Sequence, residues 1–421
     1  MTLKTLKYML CGFLLGGTTA EQGYAQHILI HNPHIQTVQV TARDDFEAPP
    51  VITLEEDDWV ELSFDELSHD YHQYCYRITH CNADWTPSDL NEMDYMDGFD
   101  ENFIEDYEQS DVTTMLYTHY RLALPNDDVQ LKLSGNYLVT VYDREDAEHP
   151  VLKAGFSILD KKANVMATVS GDTDIDHNKT HQQVSFKVNY KGYTVRNPQQ
   201  ELKAVVMQNG RTDNAVTNLK PTHISANEAQ YVRNRRLIFD AGNEFRRFET
   251  VSRRHISMRV DHLQFFDPYY HATLMPDEVR NRNYTYDRDQ NGRFLIRNED
   301  TIDDHNTEAD YFFVHFNLQP EELLADGHLY LQGGFTYNRF DRQTEMKYNP
   351  ETDCYECTML LKQGAYNYQY LFVPKGSRTG TTLPTEGDFF ETENEYLILI
   401  YHRPFGERYD QLIGMQQVKA Y

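Results

Sequence analysis

Hydrophobic and polar residues alternate along most of this chain in short runs, and turn-forming residues separate the runs. The alternation has a period of two, because successive side chains of a β-strand point to opposite faces of the sheet. Gly, Asn, Asp and Pro interrupt it at close intervals. The runs that predict strands are Gln130 to Leu133, Tyr137 to Tyr142, Val184 to Tyr190, Leu202 to Gln208, Tyr311 to Leu318, Leu329 to Gln332, Thr358 to Leu361, Tyr366 to Val373 and Tyr396 to Tyr401. This pattern predicts an all-β chain of several immunoglobulin-like β-sandwiches, with one or two helical turns within Glu92 to Tyr107.

The segment from Tyr74 to Trp85 combines a strand with a marked exit turn. Its first six residues alternate between Tyr or Ile on one face and Cys, Arg or Thr on the other. Asn82 and Asp84 then break the alternation, since short Asx side chains bond to their own backbone and end the ladder. Trp85 follows as a large apolar anchor. These residue types form no catalytic arrangement, so we interpret the segment as scaffold.

Shifts in composition divide the chain into a leader and three units. The first β-sandwich is predicted to span residues 26–160, because a polar junction begins at Asp160. A central β-sandwich is predicted over residues 161–318, where Gln319-Pro320 and two Glu residues mark the next junction. Residues 319–421 are predicted to form a C-terminal immunoglobulin-like domain.

The N-terminus has the features of an export signal, predicted to span residues 1–25. Lys4 and Lys7 precede an apolar stretch from Tyr8 to Leu15, and the small-x-small site Gly23-Tyr24-Ala25 suits cleavage after Ala25. Cys11 does not suit a lipoprotein, because a bulky residue precedes it. The alternative is a cytosolic protein with an apolar N-terminus. No later run approaches the roughly 18 apolar residues of a membrane-spanning helix, so we expect an exported, soluble mature chain.

The charge of the chain is strongly acidic and unevenly distributed. The 39 Lys and Arg face 66 Asp and Glu, for a formal net charge of -27. Between Asp44 and Asp111 there are 22 acidic residues and one basic residue, Arg77. Such a surface would repel phosphates, which argues against nucleic acid as a partner. It is either a solvated surface or an acidic domain that docks on a basic partner. Arginines cluster in the middle of the chain: Arg233, Arg235, Arg236, Arg246, Arg247, Arg253 and Arg254.

The cysteines give no clear metal site or disulfide. Cys75 and Cys81 would lie roughly 20 Å apart on one straight strand, too far for a bridge, so their pairing stays open. Cys354 and Cys357 are far in sequence from His80 and Cys81, whereas a zinc module shows two tight ligand pairs around a small loop.

One stretch resembles the first half of a calcium loop. Asp287, Asp289 and Asn291 occupy its alternate positions, and Gly292 stands where the backbone must turn. Asn298 replaces the bidentate Glu that calcium needs at the twelfth position. A β-turn held by Asx side chains is therefore favoured, and we expect no cofactor.

Candidate catalytic residues are few. His69, His72 and His80 lie near one strand without an ordered carboxylate or nucleophile. Ser134 would be a nucleophile only at a strained strand-to-helix elbow, and here a strand follows it. The chain is therefore predicted not to be an enzyme, although a buried carboxylate pair in a concave pocket would revive that alternative.

Three motifs follow one another in the last hundred residues: Gly333 to Asn338, Met346 to Tyr348, and the hairpin Leu361 to Tyr370. Their order resembles the early-set immunoglobulin-like modules of glycogen-active enzymes, which stack exposed aromatic side chains on sugar rings. Arg339 stands where those modules have a Trp. Tyr366, Tyr368 and Tyr370 share one strand face, for which core packing is favoured over a sugar platform.

A set of strings in fixed order spans the mature chain: Ile35 to Gln39, Leu62 to Asp65, Tyr76 to Trp85, Thr118 to Tyr120, Leu124 to Asn126, Leu133 to Tyr137, Gln208-Asn209, Asn243 to Arg246, Ala309 to Tyr311, Leu361 to Tyr370 and Glu391 to Asn394. They resemble the type 9 secretion system plug protein family. HCNADW and LSGNY are the most specific of them. Their signature residues are Tyr76, His80, Cys81, Asn82, Asp84, Trp85, Ser134, Gly135, Asn136 and Tyr137, which we interpret as framework.

The resemblance implies a non-enzymatic periplasmic protein, peripherally associated with the outer membrane and without a membrane span of its own. Members of this family are understood to sit against the periplasmic mouth of the giant outer-membrane translocon barrel and to seal it at rest. The barrel is thus the implied partner, nucleic acid is not, and a monomer is expected. An exported carbohydrate-binding β-sandwich protein is the alternative. The docking residues, the trigger for release and the disulfide state stay open.

Overall fold

The computed structural model describes residues 28–54, 57–301 and 304–420, and the predicted leader lies outside them. The described chain is nearly all β, which confirms the predicted class, and each predicted run overlaps an observed strand. Its helices are single turns: α1 (Glu92–Tyr95), α2 (Pro198–Glu201), α3 (His305–Glu308) and the 3-10 turns Arg235–Leu237 and Gly334–Thr336.

A first sandwich is built from β1 (Ile28–Ile30), β2 (Ile35–Ala42), β3 (Val51–Thr53), β4 (Val60–Glu66), β5 (Tyr74–Cys81), β6 (Met96–Gly98), β7 (Asn102–Phe103), β8 (Asp106–Gln109), β9 (Thr118–Leu124), β10 (Val129–Leu131), β11 (Gly135–Asp143) and β12 (Asp146–Leu159). One sheet follows the order β1-β12-β11-β5-β7, with β3 beside β12, and the other follows β2-β4-β9-β8. Alternate side chains of the facing sheets, such as Leu62, Tyr76 and Val139, share one core.

A second sandwich is built from β13 (Asn164–Ser170), β14 (His181–Asn189), β15 (Leu202–Gln208), β16 (His223–Ile224), β17 (Glu228–Tyr231), β18 (Ile238–Asp240), β29 (Glu395–His402) and β30 (Gln411–Lys419). One sheet follows β13-β14-β17-β16, with β18 beside β14, and the other follows β15-β29-β30. We call the β15-β29-β30 sheet the shared sheet, because each of its two faces packs in a different apolar cluster.

The two faces of the shared sheet belong to different cores. Ala204 and Val206 of β15 face the core of the second sandwich. Val205 and Met207, which alternate with them, pack in a separate cluster with Val51 of the first sandwich. Burial on both faces explains why β15 and β29 are continuous apolar runs rather than alternating ones.

The third body is built from β19 (Arg246–Glu249), β20 (Val260–Phe266), β21 (Tyr269–Leu274), β22 (Asp277–Glu278), β23 (Phe294–Ile296), β24 (Tyr311–Gln319), β25 (Gly327–Gln332), β26 (Glu345–Asn349), β27 (Cys354–Lys362) and β28 (Gly364–Pro374). Its sheet follows β19-β28-β25-β26-β27-β24-β21-β20, with β22 beside β24 and β23 beside β28. Phe248 of β19 meets Phe316 of β24 with ring centroids 5.3 Å apart. Strands distant in this order therefore share one core, so the sheet curls on itself.

The strand pairing does not follow the predicted boundary near residue 318. β24 ends there, yet it lies in the middle of the third sheet, between strands from both sides of the boundary. β29 and β30 return instead to pair with the second sandwich. Gln319-Pro320 marks a loop within one body, since turn residues look alike inside and between domains. The predicted boundary near residue 160 falls between β12 and β13.

Candidate functional site at the junctions of the first sandwich

The two signature strings meet at the side chain of Asn136, which is fully buried. Its amide nitrogen donates to the Asn82 carbonyl at 2.9 Å. Its Oδ1 accepts from the Ser157 hydroxyl at 2.8 Å and from the Tyr401 hydroxyl of β29 at 2.8 Å. Asn136 therefore joins HCNADW, LSGNY and the shared sheet at one point.

His80 of β5 precedes the exit turn, and both of its ring nitrogens lie within hydrogen-bond distance of a partner. Nε2 lies 3.2 Å from the Ser134 carbonyl, and Nδ1 lies 3.0 Å from the Ser88 hydroxyl. Burial lowers the pKa of His80 to about 4. The ring is thus neutral near pH 7, and Nε2 carries the proton because a carbonyl only accepts. A Cβ on Gly135 would lie 2.5 Å from His80 Nε2, so only glycine fits there.

The exit turn is fixed to the β29–β30 loop by Asp410. Its Oδ2 accepts from the Ala83 amide at 3.0 Å and from Lys203 Nζ at 2.8 Å. The Arg403 guanidinium donates to Asn82 Oδ1 from the same side. The turn therefore belongs to an interface between the first and second sandwiches.

Trp85 closes this interface. It is buried with φ at 64°, in the left-handed region, and a Cβ on Gly155 would lie 2.4 Å from its ring. Gly155 therefore makes room for the indole.

The remaining signature residues have local roles. Asn126 donates to the Tyr76 hydroxyl at 3.1 Å, and Tyr137 donates to the Leu133 carbonyl at 2.7 Å. Asp84 Oδ1 accepts from the Thr86 hydroxyl at 2.6 Å. Burial raises the pKa of Cys81 to about 12, so its thiol is not activated.

A second junction joins the first sandwich to the third body, and Asp65 is its centre. Asp65 Oδ1 lies 2.6 Å from His119 Nδ1. Asp65 Oδ2 accepts from the Tyr311 hydroxyl at 2.6 Å and from Lys362 Nζ at 2.5 Å. Tyr311 and Lys362 belong to β24 and β27, more than 240 residues along the chain from Asp65.

The charges at this junction are fully enclosed. The Lys362 side chain is 1% exposed and that of Asp65 is 0%. Burial alone would raise the pKa of Asp65, but Lys362 and His119 outweigh it and hold that pKa below its usual value. Lys362 Nζ also lies 4.2 Å from the centroid of the Tyr117 ring, a cation–π contact.

Further hydrogen bonds extend the second junction. Thr37 Oγ1 lies 2.7 Å from the Tyr311 hydroxyl, and the Val38 amide donates to the Tyr337 hydroxyl at 2.8 Å. Asp310 Oδ2 accepts from the Thr114 amide at 2.9 Å. Polar groups from three separate stretches of the first sandwich thus bond to the third body.

Two buried carboxylates of the third body, Asp277 and Glu386, share an arginine and do not form an acid–base pair. Asp277 and Glu386 lie 3.0 Å and 3.1 Å from different nitrogens of Arg246. Burial opposes ionisation of Glu386, but Arg246 and Arg280 outweigh it and lower its pKa to about 2. The group is ionised near neutral pH, so it is a salt-bridge partner rather than a proton donor.

The tyrosines considered as a sugar platform belong to this buried network. Tyr366, Tyr368 and Tyr370 are at most 2% exposed. The hydroxyls of Tyr368 and Tyr370 donate to Asp277 Oδ2 at 2.7 Å and 2.8 Å. These rings are core residues and cannot stack on a sugar.

The candidate calcium residues are engaged with protein groups. Asp287 Oδ1 accepts from Arg247, and Asp289 Oδ1 accepts from the Asn291 amide at 2.9 Å, the geometry of an Asx turn. Phe245 donates its amide to the other Asp289 oxygen. Within the described ranges, no three His, Cys, Asp or Glu side chains are grouped so that they could hold a metal ion.

The cysteines are free thiols in the described chain: Cys75, Cys81, Cys354 and Cys357.

Sequence reasoning missed the second junction, although the chain carries a signal for it. Lys362 ends the apolar run of β27, and Asp65 follows Phe64 in β4, so each places a charge where burial is expected. The partners could not be inferred, because they lie 297 residues apart. The arginine cluster was also not one surface: Arg246 is buried in the third core, whereas Arg235 is exposed.

The fold and its junctions define an acidic all-β protein in which three packed bodies are joined through buried polar contacts. Residues 35–160 match the family model of the type 9 secretion system plug protein first domain. The chain is similar to a hypothetical protein from Parabacteroides merdae of known crystal structure, with 47% identity and a TM-score of 0.91 over 93% of this chain and 98% of that one. An alkylpurine DNA glycosylase from Pseudomonas fluorescens aligns at 12% identity over 31% of this chain and 30% of that one, with a TM-score of 0.16, which carries no argument. No curated protein matches the chain.

The first domain of this chain, residues 35–160, belongs to the type 9 secretion system plug family, which confirms the resemblance. The family match indicates that this protein has a role in type 9 secretion and is an envelope-associated component. It also favours a non-catalytic protein. Among the helices of the described residues, none has the length and apolar character needed to cross a membrane.

Proposed function

We propose that this protein is a non-enzymatic periplasmic plug that docks on the periplasmic opening of the type 9 secretion translocon barrel and seals it at rest. The observation that carries the proposal is the family match over residues 35–160, the first sandwich. A wide pore would leak, so its resting state needs a soluble cap that keeps its shape.

The buried junctions support this function. A cap made of loosely linked domains would deform over a wide opening, because domains joined by small, exposed contacts move relative to one another. Here the first sandwich is tied to the second through Asn136 and Asp410, and to the third body through Asp65. The three bodies therefore present one rigid surface to a partner.

A carbohydrate-binding function has no comparable support. The Tyr366 side chain faces the third core, and the Tyr337 hydroxyl accepts a hydrogen bond from Val38 of the first sandwich. Neither ring is free to stack on a glycan, so we propose no second function.

Affinity purification of the tagged protein from detergent-solubilised outer membranes tests the proposal. We expect a very large barrel protein to co-purify, and the same tagged protein from cells that lack the barrel is the matched control. Recovery of soluble periplasmic partners alone, in cells that make the barrel, would contradict docking. Addition of the purified protein to the barrel in a lipid bilayer should lower its conductance, and an unchanged conductance would contradict sealing.

A further inference from the structure

Large apolar side chains of the first sandwich are exposed along one stretch of chain, residues 97–109. Phe99 is 74% exposed, Phe103 40% and Tyr107 42%. A soluble protein rarely groups exposed rings in this way unless the patch binds a partner. We call residues 97–109 the acidic aromatic ribbon.

The ribbon crosses the open side of the first sandwich in an extended conformation. Its β7 pairs with β5 of one sheet, and its β8 pairs with β9 of the other. Between them Asn102 and Ile104 point inward, whereas Phe103, Glu105 and Tyr107 are exposed. Extended chain places such alternate side chains on one face, about 7 Å apart.

Carboxylates surround these rings. Residues 97–109 contain six Asp or Glu and no Lys or Arg. Asp97 pairs with Lys132 at 2.8 Å, and Asp106 pairs with Arg121 at 3.1 Å. Asp100, Glu105 and Glu108 are exposed, and no Lys or Arg of the described chain forms an ion pair with them. The ribbon therefore keeps an excess of negative charge beside its apolar surface.

Protection of a sheet edge does not explain this combination. β8 is the edge strand of its sheet, and charges on an edge prevent pairing with other chains. Such protection requires the carboxylates but not the rings, because exposed aromatics favour association. The Tyr71 and Tyr107 rings, with centroids 4.9 Å apart, extend the apolar surface beyond the edge strand.

One ring of the ribbon already contacts a cation of this chain, as the ring of a docking surface would contact a cation of a partner. The Arg144 guanidinium lies 5.4 Å from the centroid of the Phe103 ring, which is cation–π distance. A Lys or Arg side chain of a partner could occupy the neighbouring rings in the same way and pair with Asp100, Glu105 or Glu108. Phosphates and anionic lipid headgroups would be repelled by the same carboxylates.

We propose that the acidic aromatic ribbon is the docking surface for a Lys- and Arg-bearing extended segment of the translocon barrel. This inference rests on the proposed plug function and adds the place and the chemistry of the contact. The partner segment places its cations between the carboxylates and its alkyl stems on the rings. Binding is steered by charge and weakened by salt.

Two triple variants of the full chain test the inference in the same barrel co-purification. Phe99→Ser with Phe103→Ser and Tyr107→Ser removes the rings, and Asp100→Asn with Glu105→Gln and Glu108→Gln removes the unpaired charges. We expect each to recover at least about tenfold less barrel than the wild type, because a few central residues carry most interface energy. The amount of barrel recovered by the wild type should fall as the salt concentration rises from about 0.05 to about 0.5 M. The charge variant should lose this dependence on salt.

Matched controls lie outside the ribbon. Leu383→Ser with Phe405→Ser removes two other exposed apolar side chains, and Glu322→Gln with Glu351→Gln and Glu407→Gln removes three exposed charges. Circular dichroism and thermal unfolding must match the wild type for every variant, since these side chains are exposed. Barrel recovery by the ribbon variants at the wild-type level would overturn the docking surface and leave the plug function standing. If the wild type and the control variants also fail to recover the barrel, both the docking surface and the plug function are overturned.

Discussion

At the scale of single residues, the Lys362 ammonium of the second junction is a buried charge held by several partners. It donates to Asp65 and to the Asn306 carbonyl and lies against the Tyr117 ring. A buried ion pair adds little net stability compared with apolar packing, but removal of one partner leaves an uncompensated buried charge. Removal of either partner should therefore destabilise the protein far more than the intact pair stabilises it.

We predict that Lys362→Met lowers the free energy of unfolding by about 3 to 5 kcal/mol, the cost of removing the cation from a buried ion pair. Urea unfolding of the wild type and the variant measures this difference. Lys347→Met, at an exposed position of the neighbouring β26, should change it by less than about 0.5 kcal/mol. Addition of Asp65→Asn to Lys362→Met should restore part of the loss, and no restoration would show that the uncompensated charge is not the cause.

A second prediction concerns His80 and pH. Its pKa is lowered from 6.5 to about 4 by burial, so in this range the unfolded chain binds a proton that the folded chain does not. The stability that His80 contributes is present above pH 6.5 and is lost as the pH falls to about 4, at about 1.4 kcal/mol per pH unit.

Unfolding of His80→Gln at several pH values measures this contribution. The wild type minus variant difference should shrink as the pH falls, and a constant difference would contradict the assignment. The comparison with the variant is needed because Glu244, whose pKa burial raises from 4.5 to about 7, gives the opposite slope over much of the same range.

At the scale of elements, the strands could be predicted from the sequence, whereas their grouping could not. The alternation in β11 and the apolar runs of β15 and β29 identify strands, because a side-chain period of two is local information. The pairing of β15 with β29 joins residues 202–208 to residues 395–402, and no local pattern encodes such a partner. The same limit applies to the site: the signature strings were recognised, but their contact with Asp410 and Tyr401 required the fold.

The shared sheet leads to a third prediction, made for whole strands. A chain that ends after Asn394 lacks β29 and β30, so β15 loses its only sheet partner among the described residues. We expect the second sandwich to be unfolded both in such a chain and in residues 161–318 expressed alone. Its amide signals should then be poorly dispersed in NMR spectra. The full chain is the control. Dispersed spectra with cooperative unfolding for residues 161–318 would show that the predicted central domain is autonomous after all.

At the scale of the whole molecule, different residues determine its shape and its surface charge. The three cores and two buried junctions keep the shape, and the residues that do so, such as Asn136 and Asp65, are not exposed to a partner. The negative charge lies mainly on the first sandwich, where exposed carboxylates accompany exposed rings along the ribbon. Variants of the junctions should therefore change stability, and variants of the ribbon should change association.

The shared sheet also constrains the order in which the molecule can be assembled. A polypeptide is made from its N-terminus, and roughly 190 residues separate β15 from β29, so β15 emerges long before its partner. Until then β15 lacks its partner strand, and the shared sheet is incomplete. The sheet between the first and second sandwiches is complete only when β29 and β30 arrive, so shortened or interrupted products retain an incomplete layer. Incomplete copies therefore keep an unpaired strand edge and uncovered apolar surface, which favour aggregation.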